Sequence, residues 1–339
     1  MRNRDIQMDK IYEQVEKIIS PVYMVGGSVR DELMGIEPKD YDFITPHDPD
    51  AIEQKIRDVK RKPFLTGKRF GTIGVKIGGH LVEITTFRTE RYQRGNRKPE
   101  VEFVNDIMAD LGRRDFTINA MAKRGENLID PFNGQGDIKK RIIKCVGNAT
   151  SRFREDPLRM LRAARFSAQL GFSIDETTFK SAAKLNYKIL QVSKERWVME
   201  LDRLLLSPYV DRGLNNLMDT GLFRYMIPEL FLQKNYNQNS KYHAYNLWKH
   251  TVRVTNLAPL EINLRWAALL HDMAKPFVRV EKEDRSVYAK HDILGHELVI
   301  RLGNYLRWSN KRIEIVSNLV KDHLRDDSPL RDIDNMAKK

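Results

Sequence analysis

Residues 25–45 read VGGSVRDELMGIEPKDYDFIT, and the fold of the first part of the chain hangs on them. The apolar run Pro21–Val25 predicts a buried strand that stops at Gly26-Gly27. Ser28 to Met34 follow as a short helix closed by Gly35, and Tyr41–Thr45 as a second strand. Paired glycines let the backbone approach a phosphate closely, and the helix start beyond them offers unpaired N–H groups to an anion. Arg30 adds a guanidinium for the same oxygens. On its own, a strand–Gly-Gly–helix turn commonly serves packing alone. Ten residues on, Asp40-Tyr41-Asp42 leads into the second strand. Residues two apart on a strand face the same side with Cα atoms roughly 6–7 Å apart, so Asp40 and Asp42 can converge on divalent ions of the kind used in nucleotidyl transfer. An isolated Asp-x-Asp is usually a solvated strand end; beside a phosphate-type turn it favours metal and triphosphate.

Outward from this stretch, Ile6–Ile19 and Asp50–Val59 carry helical spacing, and Thr72–Ile77 alternates as a strand. Gly78-Gly79 marks a hairpin to Leu81–Phe87. There Glu83 sits among Leu81, Val82 and Ile84, where an acid is costly unless paired or metal-bound. A third metal carboxylate and an ion pair with Arg88 or Lys76 are equally good readings. Arg88 to Pro99 is charged and broken by Gly95, which predicts a mobile loop. Two more short strands are expected around Gly134-Gln135-Gly136. After about Thr150 strand signals stop. Helical spacing covers Pro157–Leu170, Asp175–Lys188, Lys194–Leu206 and Val210–Thr220. Beyond the polar, Asn-rich linker candidate Gln233–Lys241 it resumes over Trp248–Leu257, Ile262–His271, Leu294–Leu306 and Lys311–Leu324. The expected class is α+β: a head of mixed or antiparallel sheet with helices over 1–148, then an all-helical neck and body over 149–232, then a further helical block over 241–330.

A length of 339 residues suits two or three domains. Hydrophobic residues at 41% and charged residues at 31% fit folded cores rather than disorder. Lys and Arg number 59 against 46 Asp and Glu, so the net charge of +13 argues for a polyanionic partner, nucleic acid or anionic membrane. The sole cysteine, Cys145, excludes an intrachain disulfide framework and suits a reducing compartment. Met1-Arg2-Asn3-Arg4-Asp5 leads into a charged helix rather than a signal core, and no apolar run reaches membrane-spanning length. A cytoplasmic protein with no membrane partner is expected.

The segment Glu155-Asp156-Pro157-Leu158-Arg159 opens a helix. Asp156 before Pro157 is a good N-cap with proline at the first helical position, and Arg159, Arg162 and Arg165 then form a solvated face. Those arginines recur on one side with few acids on the helix to balance them, so a positive stripe facing phosphates is the competing reading. Asp156 and Arg159, three apart, are neighbours at their tips. A carboxylate accepts from an exocyclic amine and a guanidinium donates to a ring nitrogen. Cytosine and adenine present that amine beside that nitrogen, whereas uracil and guanine present the reverse, so such a pair accepts CTP and ATP and rejects UTP and GTP.

The stretches VGGSVRDELMGIEPKDYDFIT, VEITTFRTE, DLGRRDFTINAMA, DPFNGQGDI and REDPLRMLRAARFSAQLGF run in that order from residue 25 to 172. Together they resemble the bacterial class II tRNA nucleotidyltransferases (CCA-adding enzymes), which share a superfamily with bacterial poly(A) polymerases. The resemblance implies a nucleotidyltransferase head in which Asp40 and Asp42 are catalytic and hold Mg²⁺, and Gly27 and Arg30 bind the triphosphate. Arg113 would contact the incoming nucleotide with Asp115 near its ribose. Asp156 and Arg159 would form an amino-acid template, with Arg162 and Arg165 lining the nucleotide pocket. It further implies addition of C, C and A to the 3′ end of tRNA from CTP and ATP without a nucleic-acid template. Arg88–Pro99 resembles the family's flexible loop, whose presence argues against CC addition alone. Leu65–Phe70 faintly resembles the poly(A) polymerase signature, whereas Gly71-Thr72-Ile73-Gly74-Val75 is closer to the CCA-adding branch. An A-adding enzyme or a poly(A) polymerase is the alternative. The acceptor arm of tRNA would be held mainly through phosphates, by shape and with marked salt sensitivity.

His250, the pair His271-Asp272, His291, His296 and His323 crowd the last third of the chain. Imidazoles and a carboxylate on neighbouring helices can bind a divalent metal and activate water. The segment HAYNLWKHTVRV…LLHDMAKP…GHE resembles the HD domain, a metal-dependent phosphohydrolase fold, with His250, His271, Asp272 and His296 as candidate ligands. Asp322 adjoins His323, and helical geometry lets only one of the two face the site. HD-type hydrolysis of phosphate esters is therefore a rival function of another class, and a non-catalytic tRNA-binding scaffold is a third.

Overall fold

The computed structural model describes residues 2–38, 40–91, 100–239 and 246–338. It divides into two compact units, Met1–Glu155 and Asp156–Lys339.

In the first unit, α1 (Arg2–Ile18) leads to β1 (Tyr23–Val25), α2 (Gly27–Leu33), β2 (Tyr41–Thr45) and α3 (Pro49–Asp58). Then come β3 (Thr72–Ile77), β4 (His80–Thr86), β5 (Arg88–Arg91), β6 (Glu100–Phe103) and α4 (Ile107–Gly112). β7 (Ala122–Arg124), β8 (Asn127–Ile129), α5 (Gly134–Lys140), β9 (Ile142–Ile143) and α6 (Ala149–Glu155) complete it. Six strands form a mixed sheet in the order β3-β4-β2-β1-β7-β8. β2 and β4 run parallel and their neighbours antiparallel. Met8, Ile11, Val15 and Ile18 form one buried stripe of α1, as three- and four-residue spacing requires. They share a core with Phe43, Val75, Val82 and Ile84 of the sheet. α3 adds Ile52 and Ile56 to that core, and its start is fixed by the Asp48 carboxylate accepting from the Ala51 N–H at 2.8 Å.

Strand alternation decides what the opposite face carries. Tyr41, Phe43, Val82 and Ile84 point into the core, so Asp42 and Glu83, paired in register across β2 and β4, share the other face. The expected loop over Arg88–Pro99 differs in its first part. Residues 88–91 are β5, paired antiparallel with β6, because a buried charge cluster described below anchors Arg88 and Glu90; residues 92–99 lie outside the described ones. Gly134-Gln135-Gly136 opens α5 between the two expected short strands. There the Asp130 carboxylate accepts from the N–H groups of Gly134 (2.6 Å) and Gln135 (2.9 Å), and a Cβ at Gly134 would lie 2.4 Å from the Thr117 carbonyl oxygen.

The second unit is helical: α7 (Leu158–Leu170), α8 (Glu176–Leu185), α9 (Lys194–Leu205), α10 (Val210–Asp219), α11 (Phe223–Met226) and α12 (Pro228–Phe231), then α13 (Leu247–Leu257), α14 (Ile262–Leu270), α15 (His291–Tyr305), α16 (Asn310–Lys321) and α17 (Pro329–Lys338). Strands do not stop entirely, since β10 (Ser173–Ile174) and a ladder of β11 (Val280–Glu281) with β12 (Ser286–Val287) also form. Trp197, Leu201, Leu204 and Leu217 are fully buried between the earlier helices. The Trp266 indole donates to Asp202 at 2.7 Å, and the Arg312 guanidinium holds the same carboxylate at 2.6 Å, tying α14 and α16 to α9. The polar stretch after Gln233 is not a solvated linker in its described part. Gln233 and Gln238 are buried, and Gln238 accepts from Lys275 at 3.1 Å and from the Tyr288 hydroxyl at 2.5 Å. No described helix is long and apolar enough to cross a membrane.

Candidate functional site

The Gly26-Gly27 turn and the carboxylate strand are joined by one side chain. The Ser28 hydroxyl donates to the Asp40 carbonyl (2.9 Å) and accepts from the Asp42 N–H (3.2 Å). Gly26 has φ 67°, a left-handed conformation that suits glycine, and a Cβ there would sit 3.0 Å from Arg114 Nη1. Asp40 is exposed and Asp42 half-buried. Burial pushes the Asp42 carboxyl up to about 6, the facing Glu83 and nearby Asp40 push the same way, and Arg114 opposes them. Glu83 pairs with neither Arg88 nor Lys76 among the described residues; Arg88 is held by Glu90 instead. A carboxyl held up by burial with two further acids beside it fits a divalent cation, which would relieve the repulsion on Asp42.

Folding favours the protonated Asp42, because its folded pKa lies above its unfolded value. Its stabilising contribution is therefore present below about pH 4 and disappears as pH rises through about 6. Metal-free wild-type protein is expected to lose on the order of 2 kcal/mol relative to Asp42→Asn between about pH 4 and 6.5. Paired thermal melts across that range, with and without Mg²⁺, measure it; parallel profiles for the two proteins would remove the carboxylate crowding from the account.

Arg30 is anchored at both ends, to Asp31 Oδ1 (2.6 Å) and to Asn119 Oδ1 (2.8 Å). Asn119 in turn donates to Asp115 (3.3 Å), which also accepts from the Phe116 N–H. Arg113 and Arg114 share the fully buried Asp110, Arg113 through Oδ1 at 2.8 Å and Arg114 through Oδ2 at 3.1 Å. Burial opposes charge on Asp110, but the two guanidiniums outweigh it and hold its pKa below the usual carboxylate range. Arg113 reaches Glu90 of β5 at 2.7 Å, whereas Arg114 borders Gly26 and Asp42. The repeated arginine of the Arg-Arg-Asp stretch was the only sequence signal for Arg114.

In the second unit, Asp156 makes the contact expected of a helix start and an ion pair to a neighbouring helix. Its Oδ1 caps the Leu158 N–H at 3.1 Å, and its Oδ2 accepts from Arg196 of α9 at 2.9 Å. Arg159 is buried. The acid that balances the arginine stripe comes from α9, since Glu200 holds Arg165 at 2.5 Å and Arg162 at 3.6 Å. Arg165 also lies over the Phe166 ring at 3.8 Å.

The histidine cluster is a built ligand set. His250 of α13, His271 and Asp272 after α14, His291 at the start of α15 and His323 after α16 are all buried. They form two ligand groups that share Asp272. His271 Nε2 lies 3.2 Å from Asp272 Oδ2, and His291 Nε2 lies 3.3 Å from Oδ1. The Nδ1 atoms of His271, His291 and His323 face the carbonyls of Ala268, Tyr288 and Val320 at 2.6–2.8 Å. A carbonyl only accepts, so each Nδ1 carries the proton and neutral Nε2 lone pairs turn inward. His291 and His323 Nε2 are 3.2 Å apart, an arrangement that fits a cation between them. Burial lowers His323 to about 4. Burial also opposes charge on His271, but Asp272 and Asp334 raise its pKa. Asp334 of α17 is a candidate ligand that sequence reasoning missed; its Oδ1 lies 2.8 Å from His250 Nε2. It interrupts the buried stripe Leu330–Asp334–Ala337, which was the available signal. His296, expected as a ligand, belongs to neither group. Five residues past His291 on one helix, it points about 140° away. His323 rather than Asp322 faces the centre, Asp322 pairing with Arg325 at 3.3 Å.

Comparison with known proteins finds similarity along most of the chain. Residues 22–144 match the poly(A) polymerase head domain, 171–233 the probable RNA and SrmB-binding site of polymerase A, and 247–338 the HD domain. The CCA-adding enzyme of Geobacillus kaustophilus (strain HTA426) is 44% identical over 220 residues, 64% of this chain and 53% of that protein. That of Latilactobacillus sakei subsp. sakei (strain 23K) is 42% identical over 217 residues, 63% of this chain and 54% of that protein. The chain thus spans about half the length of the curated relatives it matches. The Bacillus stearothermophilus CCA-adding enzyme, solved in complex with CTP, superposes with a TM-score of 0.64 at 27% identity, over 99% of this chain and 82% of that one. A tRNA nucleotidyltransferase complexed with a primer tRNA and an incoming ATP analogue gives 0.58 at 26% identity, over 76% and 74%.

Proposed function

We propose that this chain, which belongs to the family of class II tRNA nucleotidyltransferases and bacterial poly(A) polymerases with an HD domain, adds C, C and A to the 3′ end of tRNA from CTP and ATP. The observation that carries the reading is the pairing of Asp42 with Glu83 on one sheet face, tied by Ser28 to the Gly26-Gly27 turn. Asp40 and Asp42, joined by Glu83, would hold Mg²⁺, which when bound supplies charge for the attacking and leaving oxygens. Gly27, Arg30 and Arg114 would take the triphosphate. Arg113 would orient the nucleotide, with Asp115 fixing the Asn119–Arg30 chain near the ribose. Asp156 would accept from the exocyclic amine of cytosine or adenine while Arg159 donates to the ring nitrogen, and Arg162 and Arg165 would line the base pocket. The tRNA 3′-hydroxyl would give its proton to solvent as its oxygen bonds to the α-phosphorus, and the α–β phosphoanhydride bond would break to release pyrophosphate. The division of labour follows 1–148 for transfer and 149–232 for base and tRNA binding. The HD block from 241 is carried past 330 by Asp334.

Supplying tRNA that lacks its last three nucleotides with CTP alone, ATP alone and both, then sequencing the ends, tests this. Two C residues with CTP alone and CCA with both are expected. A single A regardless of CTP would indicate an A-adding enzyme, and a long A-tail a poly(A) polymerase; either result displaces the CCA reading.

A second reading rests on the histidine cluster. With six converging ligands and three fixed tautomers, the HD block would hold divalent metal and hydrolyse phosphate esters. A water oxygen bonds to phosphorus, the ester P–O bond breaks, and the alcohol leaves with a proton.

A further inference from the structure

One row of residues crosses the open face of the sheet from the carboxylates to the free edge of β3. Asp42 is in register with Glu83, and Glu83 with Gly74. Gly74 in turn bridges Phe64, each N–H donating to the other's carbonyl at 2.8 and 3.0 Å. Residues directly opposite in a ladder point to the same side, so Phe64 shares the face of the carboxylates. A Cβ at Gly74 would lie 3.3 Å from Phe64 Cβ and 3.6 Å from Leu81 Cδ1. The missing side chain thus lets two apolar groups close over β3. Phe64 nevertheless stays 40% exposed and Leu81 47%. Resting on the nucleotidyl-transfer reading, we propose that Phe64, with Leu81 beside it, stacks against the terminal base of the RNA that receives the new nucleotide, and is a positioning residue for its 3′-hydroxyl.

The direction of attack selects this side. The Gly26-Gly27 corner and Arg114 lie toward β1, whereas β4 and β3 flank β2 on its other edge. A triphosphate taken at that corner sheds pyrophosphate there, and in-line displacement brings the attacking oxygen from the opposite side. The nucleoside carrying that oxygen then lies over β4 and β3. Neighbouring strands are ~4.8 Å apart, so a ring over Gly74 sits about one spacing from Glu83 and about two from Asp42. One nucleoside covers that reach. Stacking also suits the task, because every base has a π face and an aromatic ring reads no base edge. The same ring can therefore seat an end that is first the tRNA's own last base, then C, then C again. Covering an edge glycine is reason enough for an aromatic on packing grounds. That reading leaves Leu81 exposed, and it predicts an effect on stability alone.

The test uses the full chain and tRNA that lacks its last three nucleotides and ends in 2-aminopurine, whose fluorescence is quenched by stacking. Without nucleotide, wild type should quench this signal about twofold or more. Phe64→Leu keeps an apolar cover on Gly74 but removes the aromatic face, so the quench should be lost. Single-turnover CMP incorporation at saturating tRNA and CTP should slow about tenfold, within the range of base–aromatic stacking. The KM for CTP and the melting temperature should stay at wild type, and Phe64→Trp should restore both quench and rate. If wild type extends no tRNA, the nucleotidyl-transfer reading falls and this inference with it. If wild type extends tRNA but Phe64→Leu matches it in quench or in rate, the inference alone is overturned. A slow Phe64→Leu that also melts early, with no recovery in Phe64→Trp, overturns it as well and leaves the ring a packing group.

Discussion

Asp42→Ala is expected to slow incorporation of both CMP and AMP by about 10³-fold or more, without loss of the fold. Removing a metal carboxylate removes several kcal/mol of transition-state charge stabilisation. Because burial, with Glu83 and Asp40 beside it, raises the Asp42 pKa to about 6, the ionised side chain works against folding at neutral pH, so its truncation is not expected to unfold the head. Single-turnover incorporation of labelled nucleotides into tRNA lacking its end, with a thermal melt of the same sample, separates the two effects. Glu83→Ala belongs in the same experiment: as a third ligand it should also cost rate, whereas a bystander acid would leave it near wild type. Extension at the wild-type rate by Asp42→Ala would defeat the nucleotidyl-transfer reading.

The second large effect is expected from Asp272→Ala. That carboxylate belongs to both ligand groups and faces Lys275, His271 and His291 at 2.7–3.3 Å. Burial opposes its charge, but His271 and Lys275 hold its pKa well below the usual range. Its loss should empty the histidine cluster of divalent metal and leave the buried Lys275 ammonium without its carboxylate, costing about 3–5 kcal/mol. Metal content after dialysis and a denaturant melt report the two consequences separately. Wild-type metal retention by Asp272→Ala would show that the imidazoles alone hold the ion. Unchanged stability would show that the lysine finds another partner.

The helices, the strand pair carrying Asp42 and Glu83, and the α+β division were legible because hydrophobic periodicity is local and the cores obey it. Tyr41–Thr45 and Thr72–Ile77 match their expected bounds. What was not legible depends on partners distant in sequence. Arg88 and Glu90 lack the apolar pattern of a strand, yet Asp110 and Arg113, about twenty residues on, fix them into β5. Gln238 lies in a polar stretch that composition marks as linker, but Lys275 and Tyr288 bury it. His296 was a candidate ligand because the GHE stretch resembles part of an HD domain; the angular step along α15 turns it away. Asp334 was missed because a single polar position in the apolar stripe of α17 points to no partner until the helix is known to face histidines. The acid balancing the arginine stripe, Glu200, sits on a different helix from the arginines it holds.

The double role of the Ser28 hydroxyl has a consequence for how the head can evolve. Because one oxygen fastens the glycine corner to the backbone on either side of Tyr41, the proposed cradle and cation seat are one connected part. Drift in one carries the other along. On the proposed function, nucleotide preference would change only through groups outside that part, leaving the transfer step as it is.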